Sequence, residues 1–207
     1  MAQELIPVAD ARARILADLP SMPSEQVTLP DAHGRVLAGD VAAHVTQPPL
    51  AVSAMDGYAV RAEDVANVPV DLNIVGEVPA GGLHAGTVGP GEAVRIFTGA
   101  AIPDGADAIV IQEDTARDGD TVTAKEGVAA GRYVRPAGLD FQVGDVLLEA
   151  GTVLTARDIG LAAAMNHPWL RVHRRPRVAL LATGDEISLP GEALGPTSIV
   201  SSNNFAL

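Results

Sequence analysis

The sequence contains no cysteine. That excludes disulfides, thiolate zinc sites and a cysteine nucleophile. Aromatic residues make up only 3% of the chain, so any core must be built from Val, Leu, Ile and Ala. Lysine occurs once, as Lys125, within a basic total of 14 against 26 acidic residues. At a net charge of −12 the chain lacks the cationic surface that displaces counterions from nucleic-acid phosphates. Any anion it binds must rely on arginine, backbone N–H groups or a bridging metal ion. No apolar run approaches the roughly 20 residues needed to cross a bilayer. The opening residues, MAQELIPVAD, show no basic stretch followed by an apolar one. A cytoplasmic protein without nucleic-acid or membrane partners is the expectation.

What is present is apolar and turn-rich. Hydrophobic residues make up 47% of the 207, with 21 glycines and 15 prolines spread along the chain. This is enough for one or two domains of roughly 100–150 residues built from many short strands. Residues 7–18 have helical spacing of Val8, Ala11, Ile15 and Leu16, with Pro7 at the start and Pro20 as a stop. Residues 25–45 alternate like strands around a turn at 31–34. QPPL at 47–50 reads as a rigid extended linker. Dense turn signals over 48–135 predict a β-rich region. GDVLLEAGTVL at 144–154 resembles a hairpin, and a helix is expected at 156–166, capped by Thr155 with Asp158 in the capping-box position. A strand follows at 169–173. VALLATGDEI at 178–187 reads as a continuous apolar strand followed by a Thr-Gly-Asp-Glu loop, the strand being one of a parallel sheet covered on both faces at the start of an α/β domain.

Four constellations carry candidate chemistry. In SAMDGYAV at 53–60, Asp56-Gly57 is either a plain strand-entry turn or an exposed carboxylate able to bind Mg²⁺ or a ligand. In RIFTGAAIPDGADAIVIQED at 95–114, Thr98-Gly99-Ala100 is a small-residue loop whose N–H groups could approach an oxyanion, whereas 103–107 reads as a turn only. In VRPAGLDFQVGD at 134–145, Arg135 and Asp140 form either a surface ion pair or part of a cleft. TGDE at 183–186 sits at the end of the expected parallel strand, where ligands of open α/β sheets bind. SSNN at 201–204 reads as a helix start, with Ser202 or Asn203 as cap and N–H groups available to phosphate. The five histidines lack any HExxH spacing, and neither GxxxxGK[ST] nor GxGxxG occurs.

The order and spacing of these motifs resemble the molybdopterin molybdenumtransferases, the MoeA family, and the related E domain of gephyrin. The pattern runs SxMDGYA, TGAxxPxGADxxVxxE, RxxGxD, RVxxxxTGDE and SN, and it covers essentially the whole chain. The resemblance implies a multidomain α+β fold. Residues 1–45 plus 136–176 would form an elongated α/β-rich domain, 46–135 an inserted β-rich domain, and 177–207 the truncated start of an α/β molybdopterin-binding domain. Two departures stand out. Leu139 replaces a glutamate common in the family, and Asn166 replaces a glycine at a helix end, where asparagine tolerates the left-handed conformation.

The resemblance further implies a transferase that inserts molybdate into adenylated molybdopterin with release of AMP, Mg²⁺ being the cofactor. Asp56, Asp140 and Glu186 would be metal ligands, and with Thr98 the catalytic residues, Thr98 offering its hydroxyl to a substrate oxygen. Gly99, Thr183, Gly184, Asp185, Ser202 and Asn203 would bind substrate. A homodimer is implied, its site shared between subunits, with room for contacts to other molybdenum cofactor biosynthesis proteins. The truncated chain by itself is expected to be inactive. The alternative is a non-catalytic scaffold or partner-binding module of the gephyrin type.

Overall fold

The computed structural model describes residues 6–207. The chain falls into two compact units, one comprising the segment up to Glu25 and again from His173, the other Gln26–Val172. Helix α1 (Val8–Ala17) begins behind Pro7, whose carbonyl accepts from the N–H groups of Asp10 and Ala11. It buries none of its residues, and the apolar face read from the sequence stays exposed at Val8, Ile15 and Leu16. Strand β1 (Ser24–Thr28) leads into the one-turn helix α2 (Leu29–Ala32), with proline in its first turn. The expected turn is therefore helical, and it ends at Gly34, which has φ +70°. Two short strands follow, β2 (Val41–Ala42) and β3 (Val52–Ser53).

The turn-rich region contains a six-stranded sheet of β4 (Gly57–Val60), β5 (Val70–Val78), β6 (Glu92–Ile96), β7 (Ala108–Ile111), β8 (Thr115–Asp118) and β9 (Thr121–Ala124). Its order is β7-β4-β6-β5-β9-β8, and only the β5/β6 pair is parallel. Alternate side chains supply two separate cores, as the period of two in a strand requires. Tyr58, Val60, Ala108 and Val110 join one, while Ala59, Val94, Ile96 and Ile109 join the other. With both faces covered, all four residues of β4, which lies between β7 and β6, are buried.

Beyond the sheet, β10 (Val134–Arg135) pairs antiparallel with β3, and β11 (Val146–Leu148) pairs antiparallel with β2. The hairpin expected over 144–154 is not formed. Its first limb pairs with 41–42, and Val153 bridges to Val36. Each limb buries one leucine, Leu148 or Leu154, in a core shared with Ala32, Leu37 and Val41. Burial against that distant segment outweighs local pairing of the limbs. Helix α3 (Ala156–Ala164) has the full capping box: the Asp158 N–H donates to Thr155 Oγ1, and the Asp158 carboxylate accepts from the Thr155 N–H at 2.7 Å. At its other end Asn166 has φ +68°. The N–H groups of Asn166 and His167 donate to the carbonyls of Ala163 and Ala162, the paired bonds of a Schellman motif. Strand β12 (Trp169–His173) follows.

The last segment corrects the reading of an apolar strand within 178–187, while 183–186 is a loop as expected. No strand forms over 178–186, and Val178 and Leu181 are exposed. Instead β13 (Ile187–Ser188) pairs in parallel with β14 (Ile199–Val200), and the four-residue helix α4 (Asn203–Ala206) follows. An apolar strand gains stability from neighbours on its edges and faces. Among the described residues none lies alongside 178–186 as a strand. Ser202 occupies the position before α4, but its side chain makes no capping bond.

Candidate functional site

Sheet register places Asp56 beside Thr98. Asp56 immediately precedes β4, and Thr98 lies two residues past β6. Antiparallel pairing aligns Gly57 with Ile96, so the entry of one strand abuts the exit of the other. Oδ1 of Asp56 accepts from the Thr98 N–H at 2.8 Å and from its hydroxyl at 2.8 Å. The carboxylate is held below the ordinary aspartate value of 3.8, first by the backbone bond from Thr98, then by its hydroxyl, with the Arg95 charge adding to the effect. The Asp56 carbonyl also accepts from the Gln112 N–H at 3.1 Å. Gly57 is required next to it, because a Cβ there would lie 2.1 Å from the carbonyl oxygen of Val110.

Arg95 completes this corner, and sequence reasoning missed it. Its guanidinium lies 5.2 Å from the Tyr58 ring centre and 4.6 Å from that of Phe97. It donates to the Gly57 carbonyl at 3.0 Å and to Gln112 Oε1 at 2.8 Å. The available signal was a lone arginine in the apolar run EAVRIF. A charge inside a mostly buried strand needs partners to offset its desolvation.

The Thr98–Ala101 loop is saturated with internal bonds. The N–H groups of Thr98, Gly99, Ala100 and Ala101 donate to the Asp56 carboxylate and to the carbonyls of Ser53, Phe97 and Gly82. None of the four is left for an oxyanion, which corrects the expectation of an N–H cradle here. The Thr98 hydroxyl proton likewise goes to Asp56. Gly99, with φ +84°, instead lines a cleft of about 480 Å³. Residues 103–107 are a turn as expected: the Ala106 N–H donates to the Pro103 carbonyl, and the Asp107 carboxylate accepts from the Ala62 N–H.

The cleft brings Asp140 and Arg135 to the same space as Gly99. Its other walls are Gln47, Pro48, Pro49, Leu50, Val52, Gly81, Gly82, Leu83 and Ala101. The peptide between Gln47 and Pro48 is cis. Asp140 is fixed through its backbone, its N–H donating to the Gln47 carbonyl at 3.0 Å, while its side chain is exposed. Among the described residues Arg135 and Asp140 do not pair with each other. Leu139 lines a second, apolar cleft on the other side of Asp140, with Phe141, Leu147 and Leu161.

In the other unit, Thr183, Gly184, Asp185 and Glu186 form an exposed turn in which the Ile187 N–H donates to the Gly184 carbonyl at 3.1 Å. Gly184 has φ +148°, and a Cβ on it would lie 2.5 Å from a carboxylate oxygen of Glu186. Ser202 and Asn203 are exposed at the start of α4. Among the described residues no three His, Cys, Asp or Glu side chains gather in a way that could hold a metal ion. His44 and His167 stack at 3.8 Å between ring centres and bond to backbone carbonyls. Among the described residues no helix is long and apolar enough to cross a membrane.

The profile of the MoeA N-terminal region, covering its domains I and II, matches residues 6–166. The chain belongs to this family. It is 42% identical to a molybdopterin molybdenumtransferase of Nostoc sp. over 97% of its own length and 48% of that protein's. It is 41% identical to molybdopterin molybdenumtransferase 2 of Mycobacterium tuberculosis over 87% of its length and 46% of the relative's. The crystal structure of a molybdopterin biosynthesis MoeA protein from Pyrococcus horikoshii matches with a TM-score of 0.92 and 34% identity, covering 98% of this chain and 55% of that one. The chain thus spans about half the length of the MoeA-family relatives it matches.

Proposed function

We propose that the chain contributes to a molybdopterin molybdenumtransferase site that inserts molybdate into adenylated molybdopterin and releases AMP. The observation that carries the proposal is the Asp56–Thr98 pair next to the Gly99–Asp140 cleft. Two motifs 42 residues apart meet there, and the carboxylate is held ionised by its partner. Both substrates are anions, so an ionised aspartate needs a cation between itself and them.

The donor set suits Mg²⁺, which takes oxygen ligands and is commonly held by one or two carboxylates plus substrate phosphate and water. Asp140 and Glu186 are exposed and free to turn, and Asp56 commits Oδ1 to Thr98. Asp56, Asp140 and Glu186 would hold the ion, Glu186 entering from a second copy of the chain in a homodimer. When bound, the ion neutralises charge on phosphate and molybdate oxygens.

The protein's own groups do the rest. Thr98 fixes the rotamer of Asp56 and keeps it deprotonated. Arg95, on β6, ties the strand that leads to Thr98 to the start of β4 through Gly57 and to the end of β7 through Gln112. Arg135 offers a cation on the cleft wall for a phosphate oxygen. Substrate contacts from Gly99, Thr183, Gly184, Asp185, Ser202 and Asn203 belong to the same proposal.

The test is AMP release from adenylated molybdopterin by the full-length protein. Release that requires molybdate and stops on chelation of Mg²⁺ is expected. Release with neither dependence would contradict the proposal.

A further inference from the structure

Among the described residues, Tyr133 and Asn166 are the two non-glycine residues with a left-handed backbone. Asn166 closes α3, and asparagine tolerates that region. Tyr133, with φ +59°, lies in a turn and closes no helix. In that conformation Cβ crowds the following carbonyl oxygen, so a bulky residue stays there only when its surroundings hold it. The surroundings do so here. Tyr133 packs against the core that contains Val78, Ile96 and Ile109. The Arg132 guanidinium lies 4.3 Å from its ring centre and donates to its phenol oxygen at 3.1 Å.

Tyr133 is where the chain changes partners. Before it, the chain follows the outer edge of β7. The Gly131 N–H donates to the Asp107 carbonyl at 2.7 Å, and the Arg132 carbonyl accepts from the Ile109 N–H at 3.1 Å. From Tyr133 onward it follows the segment that leads to Asp56. The Tyr133 carbonyl accepts from the Ala54 N–H at 2.9 Å, and β10 pairs Val134 with Ser53 and Arg135 with Val52. Segment 52–54 is thereby held from both sides. On its other side Ser53 donates its N–H to the Ala100 carbonyl and accepts from the Gly99 N–H, both at 2.9 Å. The Ser53 hydroxyl also donates to the Met55 carbonyl at 2.6 Å, one residue short of Asp56.

We infer that Tyr133 is a positioning residue for the transfer reaction: its left-handed backbone, pinned by its side chain, fixes the Asp56 loop through Ala54 and the cleft residue Arg135 through β10. The inference rests on the transferase reading for the reaction it serves. One residue sets two parts of the site against the same edge of the sheet, the loop that ends in the Asp56 carboxylate and the cation on the cleft wall. The strain at Tyr133 is the means by which the chain leaves β7 and reaches both.

The experiment compares full-length wild type with Tyr133→Phe, Tyr133→Gly and Tyr133→Asn. It reads kcat for molybdate-dependent AMP release together with amide hydrogen exchange at Ala54 and across β9, which lies away from β7 in the sheet. Tyr133→Phe keeps the ring that pins the turn, and both readouts should match wild type. Glycine and asparagine reach the left-handed region readily, but without the ring nothing holds them there. Both variants should keep their protection across β9, exchange Ala54 faster and lose about tenfold in kcat, because a small displacement of a reacting group is costly to the chemistry. Wild-type kcat in the glycine or the asparagine variant would overturn the inference. So would a lowered kcat with Ala54 protection unchanged, a loss of kcat that tracks a loss of protection across β9, or a Tyr133→Phe that behaves like the glycine variant. A wild-type protein that releases no AMP would bring down the transferase reading itself and the inference with it, so the two failures are distinct.

Discussion

Oδ1 of Asp56 receives both hydrogen bonds that Thr98 can donate, one from its backbone and one from its side chain. The backbone bond is the larger cause of the lowered carboxylate value, and the hydroxyl bond is the second. Thr98→Val should therefore raise the Asp56 value only part of the way back towards 3.8, and Thr98→Ser should leave it low. Carbon-13 titration of the Asp56 carboxyl measures this. A value in Thr98→Val equal to that of the wild type would show that the hydroxyl bond has no influence.

The sign of the linkage follows from the same pair. Asp56 and Asp158 both have lowered folded-state values, Asp158 through the bonds from Thr155. Their contribution to stability is present above 3.8 and is lost as pH falls through the lowered folded values. Urea midpoints should be flat near neutrality in wild type and Asp56→Asn alike. The gap between the two proteins should narrow only below pH 3.8. A gap that closes between neutrality and mildly acidic pH would assign the effect to another group.

Gly57 marks where β4 leaves no room for a side chain against β7. Gly57→Ala forces a methyl group against the Val110 carbonyl, in a strand buried on both faces. The cost should reach about 3 kcal/mol, at the upper end for overpacking. Chemical denaturation measures it, and a loss of a few tenths would show that the strands can separate cheaply.

Sequence reasoning reached some of this and missed the rest for physical reasons. The capping box at Thr155 and Asp158 was legible because it is local, as was β12 at Trp169–His173. Asp56 and Thr98 were assigned to one site only through family resemblance, and their hydrogen bonds to each other were not foreseen, since sheet register is a long-range property. The partners of 144–154 were misread because alternation shows that a strand exists, not where it pairs. The apolar run at 178–182 was misread as a strand because composition alone cannot supply neighbouring strands. Arg95 went unnoticed because Gly57, Tyr58 and Gln112, which hold it, come from distant segments of the chain.

Asn166 tests the reading of the helix end. Its φ of +68° favours a residue that tolerates the left-handed region. Asn166→Gly should be neutral or slightly stabilising, and Asn166→Ala should cost about 1 kcal/mol. Thermal melts of the three proteins decide it, and equal midpoints for Ala and Asn would contradict the account.

The central claim is that the Asp56–Thr98 corner and Asp140 serve the transfer chemistry together. The most direct measurement is the rate of molybdate-dependent AMP release by full-length protein bearing Asp56→Asn, Asp140→Asn or Thr98→Val, each checked for an unchanged melting point. The predicted result is a fall of about 10²-fold or more for each aspartate variant and a smaller fall for Thr98→Val, which keeps the backbone bond. Wild-type rates in both aspartate variants would contradict it.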